Sequence, residues 1–401
     1  MKPMPERGVR MKRRMSWAAG SLLASVAVSF VSGCFTAQKA PCRPEDPAAP
    51  LAQPPLKVAV YADVGPNGIG AVEWFRLVNE SPEMELHLVD GAGVRRGALD
   101  GMDLLVMPGG GSKSEFISLG TNGVNKMRAF VRNGGGYIGT CAGCFLLMDG
   151  PKWRARMVPW DSSGSEKSTM FLHFNLNNAG AKALGLKAGD HVMRYHGGPF
   201  MWPSTNVIAD AKMESWGTFS AEACLTGRVN RAKRMYGSSA IVGGTYGKGR
   251  VVVISGHPEY FNGTLYIVNA AFKYITGRDV TFPVVRPRSR RAISVGFVSG
   301  GISGVDTAET VIALASEKDF DLVPIDVDGV KQRRLDHLDV LVLPSDRLAK
   351  NDVFKTALAE FVGRGGKVVG FKSGVSMLPP GGVVCGTRKD AVRTIRSLFE
   401  D

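Results

Sequence analysis

Residues 134–148 read GGGYIGTCAGCFLLM and place Cys141 between two small residues, with Gly139 and Gly143 outside them. The apolar residues before the cysteine predict a strand and those after Ala142 predict a helix, so Cys141 falls at a strand-to-helix junction. Glycines are expected at such a sharp turn because larger neighbours would clash with the strand or the helix. This pattern is typical of a nucleophile elbow. A small buried core residue is the alternative interpretation of Cys141, since free cysteines are usually buried.

The chain contains the pattern around this stretch twice. Each copy opens with an apolar run, a glycine-rich loop and an amphipathic helix, after which strands and helices alternate. This alternation is typical of an α/β fold with a doubly wound parallel sheet of the flavodoxin-like kind, whose sites form at the carboxyl ends of the strands. The aligned segments are 57–78 with 293–314, 99–110 with 335–346, and 127–143 with 358–374.

The second copy differs from the first at the cysteine. Aligning GTCAG with GFKSG places Lys372 at the position of Cys141. No counterpart of residues 150–275 is visible, which indicates a truncated and degenerate repeat. We therefore expect residues 292–401 to be dispensable for any thiol reactivity.

The N-terminal segment predicts export. A positive region at residues 12–14 precedes the apolar run 17–31, which ends in small residues before Cys34. This order resembles a bacterial lipoprotein signal, whose cysteine carries lipid and becomes the mature N-terminus. It implies an envelope anchor, and Phe35 after the cysteine favours the outer membrane, facing the periplasm. An uncleaved anchor and a plain cleaved signal are the alternatives.

The segments between these regions have linker compositions. Prolines and alanines dominate the stretch after the lipobox and are typical of a tether. Prolines and clustered arginines between the copies indicate a linker, with a solvated basic strand as the alternative. Translation could start at Met1 or Met11. The predicted division is a signal peptide at 1–33, a tether at 34–55, a first domain at 56–277, a basic linker at 278–291 and a degenerate repeat at 292–401.

Composition fits a globular protein, with 44% hydrophobic and 21% charged residues among 401. The six cysteines are too few for a disulfide scaffold. Net charge is +14, of which residues 1–33 hold +5, so the remainder carries +9. Without a recognition motif this predicts a solvated basic surface and no nucleic-acid partner. No ligand spacing for a metal and no cofactor motif is evident, so we expect neither.

A reactive thiol needs a base, and His257 is the best placed of the six histidines. It follows the apolar strand 250–255, and Glu259 could orient its imidazole in the manner of a triad. A satisfied loop histidine is the alternative. His196, Gly197 and Gly198 in YHGGP could contact substrate or form only a turn.

Backbone amides beside the elbow could hold an oxyanion. The helix expected after Cys141 leaves the amide of Ala142 available. The segment VMPGGG at 106–111 brings Gly110 and Gly111 directly after a strand, where the backbone can approach a substrate closely. Cys144 completes a Cys-x-x-Cys pattern and could form a redox pair, although a core position one turn into the helix is favoured.

The segments PGGGSK, FVRNGGGYIGTCAG, YHGGP and GKGRVVVISGHPEY resemble the class I glutamine amidotransferase-like superfamily. More narrowly, they are similar to the N-terminal domain of biotin–protein ligases. The resemblance covers residues 57–276 and implies a Cys-His-Glu triad, which maps onto Cys141, His257 and Glu259. A ligase catalytic module and an ammonia-receiving synthetase domain are not evident in the sequence.

These observations predict an envelope lipoprotein whose first domain is a thiol hydrolase or amidase of unknown substrate. The expected partners are the membrane, through the N-terminal lipid, and a small-molecule or peptide substrate, and a homodimer is left open. The alternative is a catalytically silent module that binds a small ligand or partner in the same cleft.

Overall fold

The computed structural model describes residues 53–400 except 64–68, 167–169, 221–233, 283–291, 299–303, 326, 332, 346–347, 349–350, 372–375 and 388–389. The predicted signal peptide, Cys34, most of the tether and of the linker, and Lys372 lie outside the described residues. The chain from Gln53 to Asp401 belongs to one compact unit.

Strands and helices alternate along the first copy as far as residue 147, as predicted, and mostly strands follow from there to residue 254. Its strands are β1 (Leu56–Tyr61), β2 (Met84–Val89), β3 (Leu104–Met107), β4 (Gly136–Thr140), β5 (Trp160–Ser165), β6 (Met170–Leu176), β7 (Gly189–Tyr195), β8 (Pro199–Pro203), β9 (Ala211–Phe219), β10 (Ser239–Tyr246) and β11 (Gly249–Ile254). Its helices are α1 (Ile69–Glu80), α2 (Gly91–Arg96), α3 (Ser112–Arg132), α4 (Ala142–Leu147), α5 (Asn178–Leu184) and α6 (Leu265–Thr276).

The strands of the first copy form a mixed sheet. Its parallel half runs in the order β2-β1-β3-β4-β11, which is the flavodoxin-like order of a doubly wound fold. Beyond β11 the sheet continues through antiparallel β10, β9, β6 and β7, while β8 pairs with β10 and β5 pairs with β8. The sequence pattern predicts the parallel half but not this extension.

Alternate residues of the parallel strands face opposite layers, because side chains along a strand point to opposite sides. Val58 and Val60 of β1 belong to a core cluster with apolar residues of α1 and α6. Ala59 and Tyr61 belong to a second cluster with apolar residues of α2, α3 and α4. The sheet is therefore covered on both faces, which explains its near-continuous hydrophobic strands.

The second copy has the same strand order. Its sheet runs β13-β12-β14-β15-β16, and all neighbouring strands are parallel. The short strand β16 and helix α10 close it at the place where β11 and α6 close the first copy, so the truncation removes chiefly the antiparallel extension. The elements are β12 (Ile293–Val298), β13 (Phe320–Ile325), β14 (Val340–Leu343), β15 (Lys367–Gly370), β16 (Val383–Val384), α7 (Val305–Ser316), α8 (Val327–Lys331), α9 (Asp352–Gly363) and α10 (Ala391–Ser397).

The two copies pack through α1 and α7. Phe75 and Val78 of α1 share a core cluster with Val311 and Leu314 of α7. In the part of the chain that the structure describes, no helix is both long and apolar enough to span a bilayer.

Asp149 fixes the segment that follows α4. Its main-chain N–H donates to the carbonyl oxygens of Val158 and Trp160. Its buried carboxylate accepts hydrogen bonds from Ser204 and Asn206. Burial by itself would raise the pKa of Asp149, but these donors, with the backbone of residue 150 and an arginine, hold it below its usual range.

We predict that Asp149→Asn lowers the free energy of unfolding at pH 7 by about 1–3 kcal/mol, because buried donors lose a charged acceptor. The folded-state pKa of Asp149 lies below the unfolded value, so its contribution is present above about pH 3.9 and is lost as the pH falls further. Urea unfolding at pH 7 and pH 3 measures both values. Asp279→Asn, at a largely exposed carboxylate, is the control. An equal deficit at both pH values would contradict the prediction.

Candidate active site

Cys141 occupies the sharp turn that its flanking glycines predict. β4 ends at Thr140 and α4 begins at Ala142, and between them Cys141 has φ 50° and ψ −99°. A positive φ is uncommon and strained for a residue other than glycine. The amide of Cys141 donates to the carbonyl of Ile254 at 3.0 Å, which ties the elbow to the end of β11.

The glycines around Cys141 are required by space. A Cβ on Gly139 would lie 2.7 Å from the backbone carbon of Gly143. A Cβ on Gly143 would lie 2.3 Å from the carbonyl oxygen of Met107. Helix α4 therefore sits directly on β4 and on the end of β3, closer than any larger residue would allow.

His257 and Glu259 meet beside this elbow. His257 Nδ1 lies 2.9 Å from Glu259 Oε1, since the 3₁₀ turn Pro258–Tyr260 folds the carboxylate back toward the ring. Both side chains are nearly inaccessible, with 5% of His257 and 1% of Glu259 exposed. The three residues predicted as a triad are thus brought together at the carboxyl ends of neighbouring parallel strands.

The carbonyl oxygen of His196 covers the two reactive atoms. It accepts from Cys141 Sγ at 3.4 Å and lies 3.3 Å from His257 Nε2. One backbone oxygen therefore lies within hydrogen-bond distance of both the sulfur and the imidazole. From the sequence, His196, Gly197 and Gly198 are expected to form a substrate contact or only a turn. They form a turn, and its main chain reaches the site.

The turn has little freedom of composition. Gly197 has φ 75°, a left-handed conformation that glycine adopts without strain. A Cβ on Gly198 would lie 1.7 Å from the carbonyl oxygen of Ser255. The turn therefore lies against the residues that lead from β11 to His257.

Opposing effects set the charge of His257. Burial of the imidazole by itself lowers its pKa, but the carboxylate of Glu259 and the side chain of Cys141 outweigh this and raise the pKa to about 10. His257 is therefore an imidazolium at neutral pH. It is suited to pair with a thiolate and to donate a proton.

A hydrogen-bonded chain continues behind the carboxylate. Thr140 Oγ1 lies 3.3 Å from Glu259 Oε1 and accepts from Trp74 Nε1 of α1 at 3.1 Å. Thr140 is thus the residue before Cys141 and also a partner of Glu259. Neither Trp74 nor Thr140 is predicted from the sequence, since no local pattern connects a tryptophan on α1 with β4.

Two further glycines that the sequence analysis missed allow the triad to close. A Cβ on Gly109 would lie 2.6 Å from His257 Cε1 and 3.2 Å from Cys141 Cβ. A Cβ on Gly70 would lie 2.4 Å from Glu259 Oε1. Gly109 is the first glycine of the GGG run that the sequence predicts to be an oxyanion loop, and its position in that run could have indicated that it lies beside the triad. No sequence pattern indicates this for Gly70.

The predicted oxyanion donors come from adjoining segments. Ala142 is the first residue of α4, and its N–H has no acceptor within the helix. Gly110 has φ 154°, and Gly111 precedes the first turn of α3. Residues 108–111 continue from β3, on whose last residue α4 rests, so both sets of amides lie at the same edge of the sheet.

Cys144 lies in the core, as favoured from the sequence. It is fully buried, and its sulfur lies 3.7 Å from that of Met201. Burial, with a contribution from Cys141, raises the pKa of the Cys144 thiol well above its usual value. The described residues contain no cluster of three or more histidine, cysteine or acidic side chains that could hold a metal.

A family model described as "Biotin-protein ligase, N terminal" matches residues 99–155, which include the glycine run, α3 and the elbow. A ThuA-like protein from Bacteroides uniformis is 12% identical, with a TM-score of 0.44 over 58% of this chain and 96% of its own. One from Parabacteroides merdae is 12% identical, with a TM-score of 0.40 over 60% and 94%. PurLQS from Thermotoga maritima is 13% identical, with a TM-score of 0.37 over 55% and 99%. No curated protein matches the chain.

We predict that Gly109→Ala separates His257 from Cys141, because the added methyl group would overlap the imidazole. Alkylation of Cys141 by iodoacetamide at pH 7 should slow by roughly tenfold or more, in line with the steep dependence of reactivity on geometry. Mass spectrometry with fragmentation that distinguishes Cys141 from Cys144 measures the rate.

Gly363→Ala is the control for this substitution, since nothing lies within 4 Å of its added carbon. Its rate should equal that of the unmodified protein. A native alkylation rate in Gly109→Ala would show that the reactivity of Cys141 does not depend on the position of His257.

Proposed function

We propose that the first domain is a glutamine amidotransferase-like thiol hydrolase that cleaves an amide or a related acyl bond. One observation carries the proposal: the strained Cys141 and the buried His257–Glu259 pair converge on a single carbonyl oxygen, that of His196. Filler in a core does not require a positive φ, nor a charged pair beside it. The match of residues 99–155 to the biotin–protein ligase model supports the same superfamily.

The proposed reaction has two halves. The Cys141 thiolate attacks the acyl carbon, and a sulfur–carbon bond forms while the amides of Ala142 and Gly110 hold the oxyanion. The bond to the leaving nitrogen or oxygen then breaks, and His257 Nε2 gives its proton to that atom. Water next attacks the thioester, neutral His257 accepts its proton, and the thiolate leaves with release of a carboxylic acid. Glu259 accepts from Nδ1 and orients the imidazole throughout.

The test is hydrolysis and acyl-enzyme formation by the full chain on panels of primary amides, peptides and esters. Turnover of one class should vanish in Cys141→Ser, and the intact mass of the native protein should increase by that of the acyl group on rapid quenching. His196→Ala keeps the main-chain carbonyl and should retain activity. Turnover that persists in Cys141→Ser would contradict the proposal.

A second candidate function is a catalytically silent binding module. It is favoured by the turn at 196–198, which lies over Cys141. Only 7% of Cys141 is exposed, since the His196 carbonyl lies over the sulfur. A module of this kind would bind its ligand in Cys141→Ser as tightly as in the native chain. The same panel distinguishes the two functions, because binding by calorimetry without turnover supports only the second.

The protonation of His257 contributes to folding stability over a defined range of pH. Because its folded pKa of about 10 exceeds the unfolded value of about 6.5, the protonated form favours folding fully below pH 6.5. That contribution declines as the pH rises toward 10. The imidazolium partner of Cys141 is therefore present at neutral pH and is lost near pH 10.

We predict that Cys141 alkylates faster at pH 7 than any other cysteine in the chain. His257→Ala should slow the reaction at pH 7, because the imidazolium that stabilises the thiolate is lost. Glu259→Gln should act in the same direction but less, because it lowers the pKa of His257 without removing the ring. Rates from pH 5 to 11 provide the measurement. An alkylation rate that depends on pH in the same way in His257→Ala as in the native protein would mean that the triad is only a coincidence of sequence.

We also propose that the protein is exported and anchored to the envelope by lipid on Cys34, facing the periplasm from the outer membrane. The prediction is that Cys34→Ser releases the protein from membranes or leaves an unprocessed precursor. Fractionation and intact-mass analysis test this, with Cys42→Ser as the neighbouring control. Unchanged membrane association with normal processing in Cys34→Ser would count against the anchor.

A further inference from the structure

We propose that the second copy, residues 292–401, positions the His257–Glu259 pair of the first copy through a hydrogen bond from Arg334 to Tyr260. The inference rests on the proposed function, since it concerns the same reactive thiol. It departs from the expectation that these residues are dispensable for thiol reactivity.

Tyr260 belongs to the turn that builds the pair. It is the last residue of the 3₁₀ turn Pro258–Tyr260, directly after Glu259. Its N–H donates to the carbonyl of His257 at 3.3 Å. A shift of the Tyr260 side chain would therefore act on the segment that holds both the imidazole and the carboxylate.

Tyr260 is held by one arginine from each copy. Arg334, on the second copy's 3₁₀ turn Arg334–His337, donates from Nη1 to the Tyr260 hydroxyl at 3.2 Å. Arg194 of β7 places its guanidinium 4.1 Å from the centroid of the same ring, a favourable cation–π distance. The carbonyl of Arg194 also accepts from the His257 N–H at 2.7 Å. The tyrosine thus connects the second copy to the backbone of His257.

A second set of contacts, through helix α1, supports the same His257–Glu259 pair. Helix α1 carries Gly70 against Glu259, and its Trp74 reaches the carboxylate through Thr140. Another part of α1 packs on α7 of the second copy, where Asn79 Nδ2 lies 3.5 Å from Ser316 Oγ. Two separate elements of the second copy therefore contact the supports of one buried ion pair. The second copy has Lys372 at the position aligned with Cys141, and supporting the pair requires no nucleophile of its own.

The test is a double-mutant cycle on the full chain. Arg334→Ala and Tyr260→Phe should each slow alkylation of Cys141 at pH 7 by roughly two- to tenfold, the effect of one lost hydrogen bond. The double variant should be no slower than the slower single variant, because both changes remove the same bond. Arg334→Lys, which keeps a donor, should recover part of the rate. Each pH profile should shift toward that of His257→Ala, which a purely structural role would not produce.

Arg393→Ala is the control, since that arginine is also on the second copy and its side chain is 82% exposed. Tyr260→Phe removes only a hydroxyl and keeps the ring over Arg194, so it tests the idea even where Arg334→Ala does not fold. Native rates and pH profiles in Arg334→Ala and Tyr260→Phe, with a slow His257→Ala, would overturn this inference and leave the proposed function intact. A native rate in His257→Ala would overturn both.

Discussion

The buried hydrogen bond between His257 and Glu259 is the interaction on which the candidate site depends. Two ionisable groups almost without solvent are costly unless each holds the other in its charged form. The sheet makes this pairing possible, because β4 and β11 are parallel neighbours with Ile254 level with Thr140. Cys141 follows one of these strand ends by a single residue and His257 follows the other by three. The register of two strands thus sets the distance between thiol and base.

Such a pairing requires the backbone to approach from every side. Gly70, Gly109, Gly139, Gly143 and Gly198 each occupy a place where a Cβ would lie under 3 Å from a neighbouring atom. Gly70 and Gly109 face the small volume around the His257–Glu259 pair, whereas Gly139, Gly143 and Gly198 let the elbow and the turn at 196–198 lie against neighbouring backbone. Excluding water from that volume strengthens each charge interaction within it. The strain of Cys141, about 1–3 kcal/mol for such a backbone conformation, is held by the same close packing.

Much of the reactive centre could be predicted from sequence because its signals are local. A cysteine between glycines at a strand end, and a His-x-Glu after another strand, are patterns of a few residues. The flavodoxin-like half followed from hydrophobic periodicity, and its second occurrence followed from the internal repeat. The antiparallel extension did not, since its strands come between α4 and β11 and interrupt the regular alternation of strands and helices.

The contacts that were missed are those that residue type does not encode. Trp74 lies 66 positions from Thr140, and a tryptophan on an amphipathic helix is ordinarily a core residue. Arg334 belongs to the copy without the aligned cysteine, so its contact with Tyr260 becomes visible only when the copies pack. The His196 carbonyl carries no side-chain signal, because every residue has one.

That carbonyl connects geometry to protonation. It accepts a hydrogen bond from Cys141 only while the sulfur is a thiol, whereas the imidazolium of His257 favours a thiolate. The two tendencies oppose each other as long as the turn at 196–198 stays closed. A substrate that reaches the sulfur must therefore displace the His196 peptide group, and the same displacement exposes the imidazole, since one carbonyl oxygen lies against both.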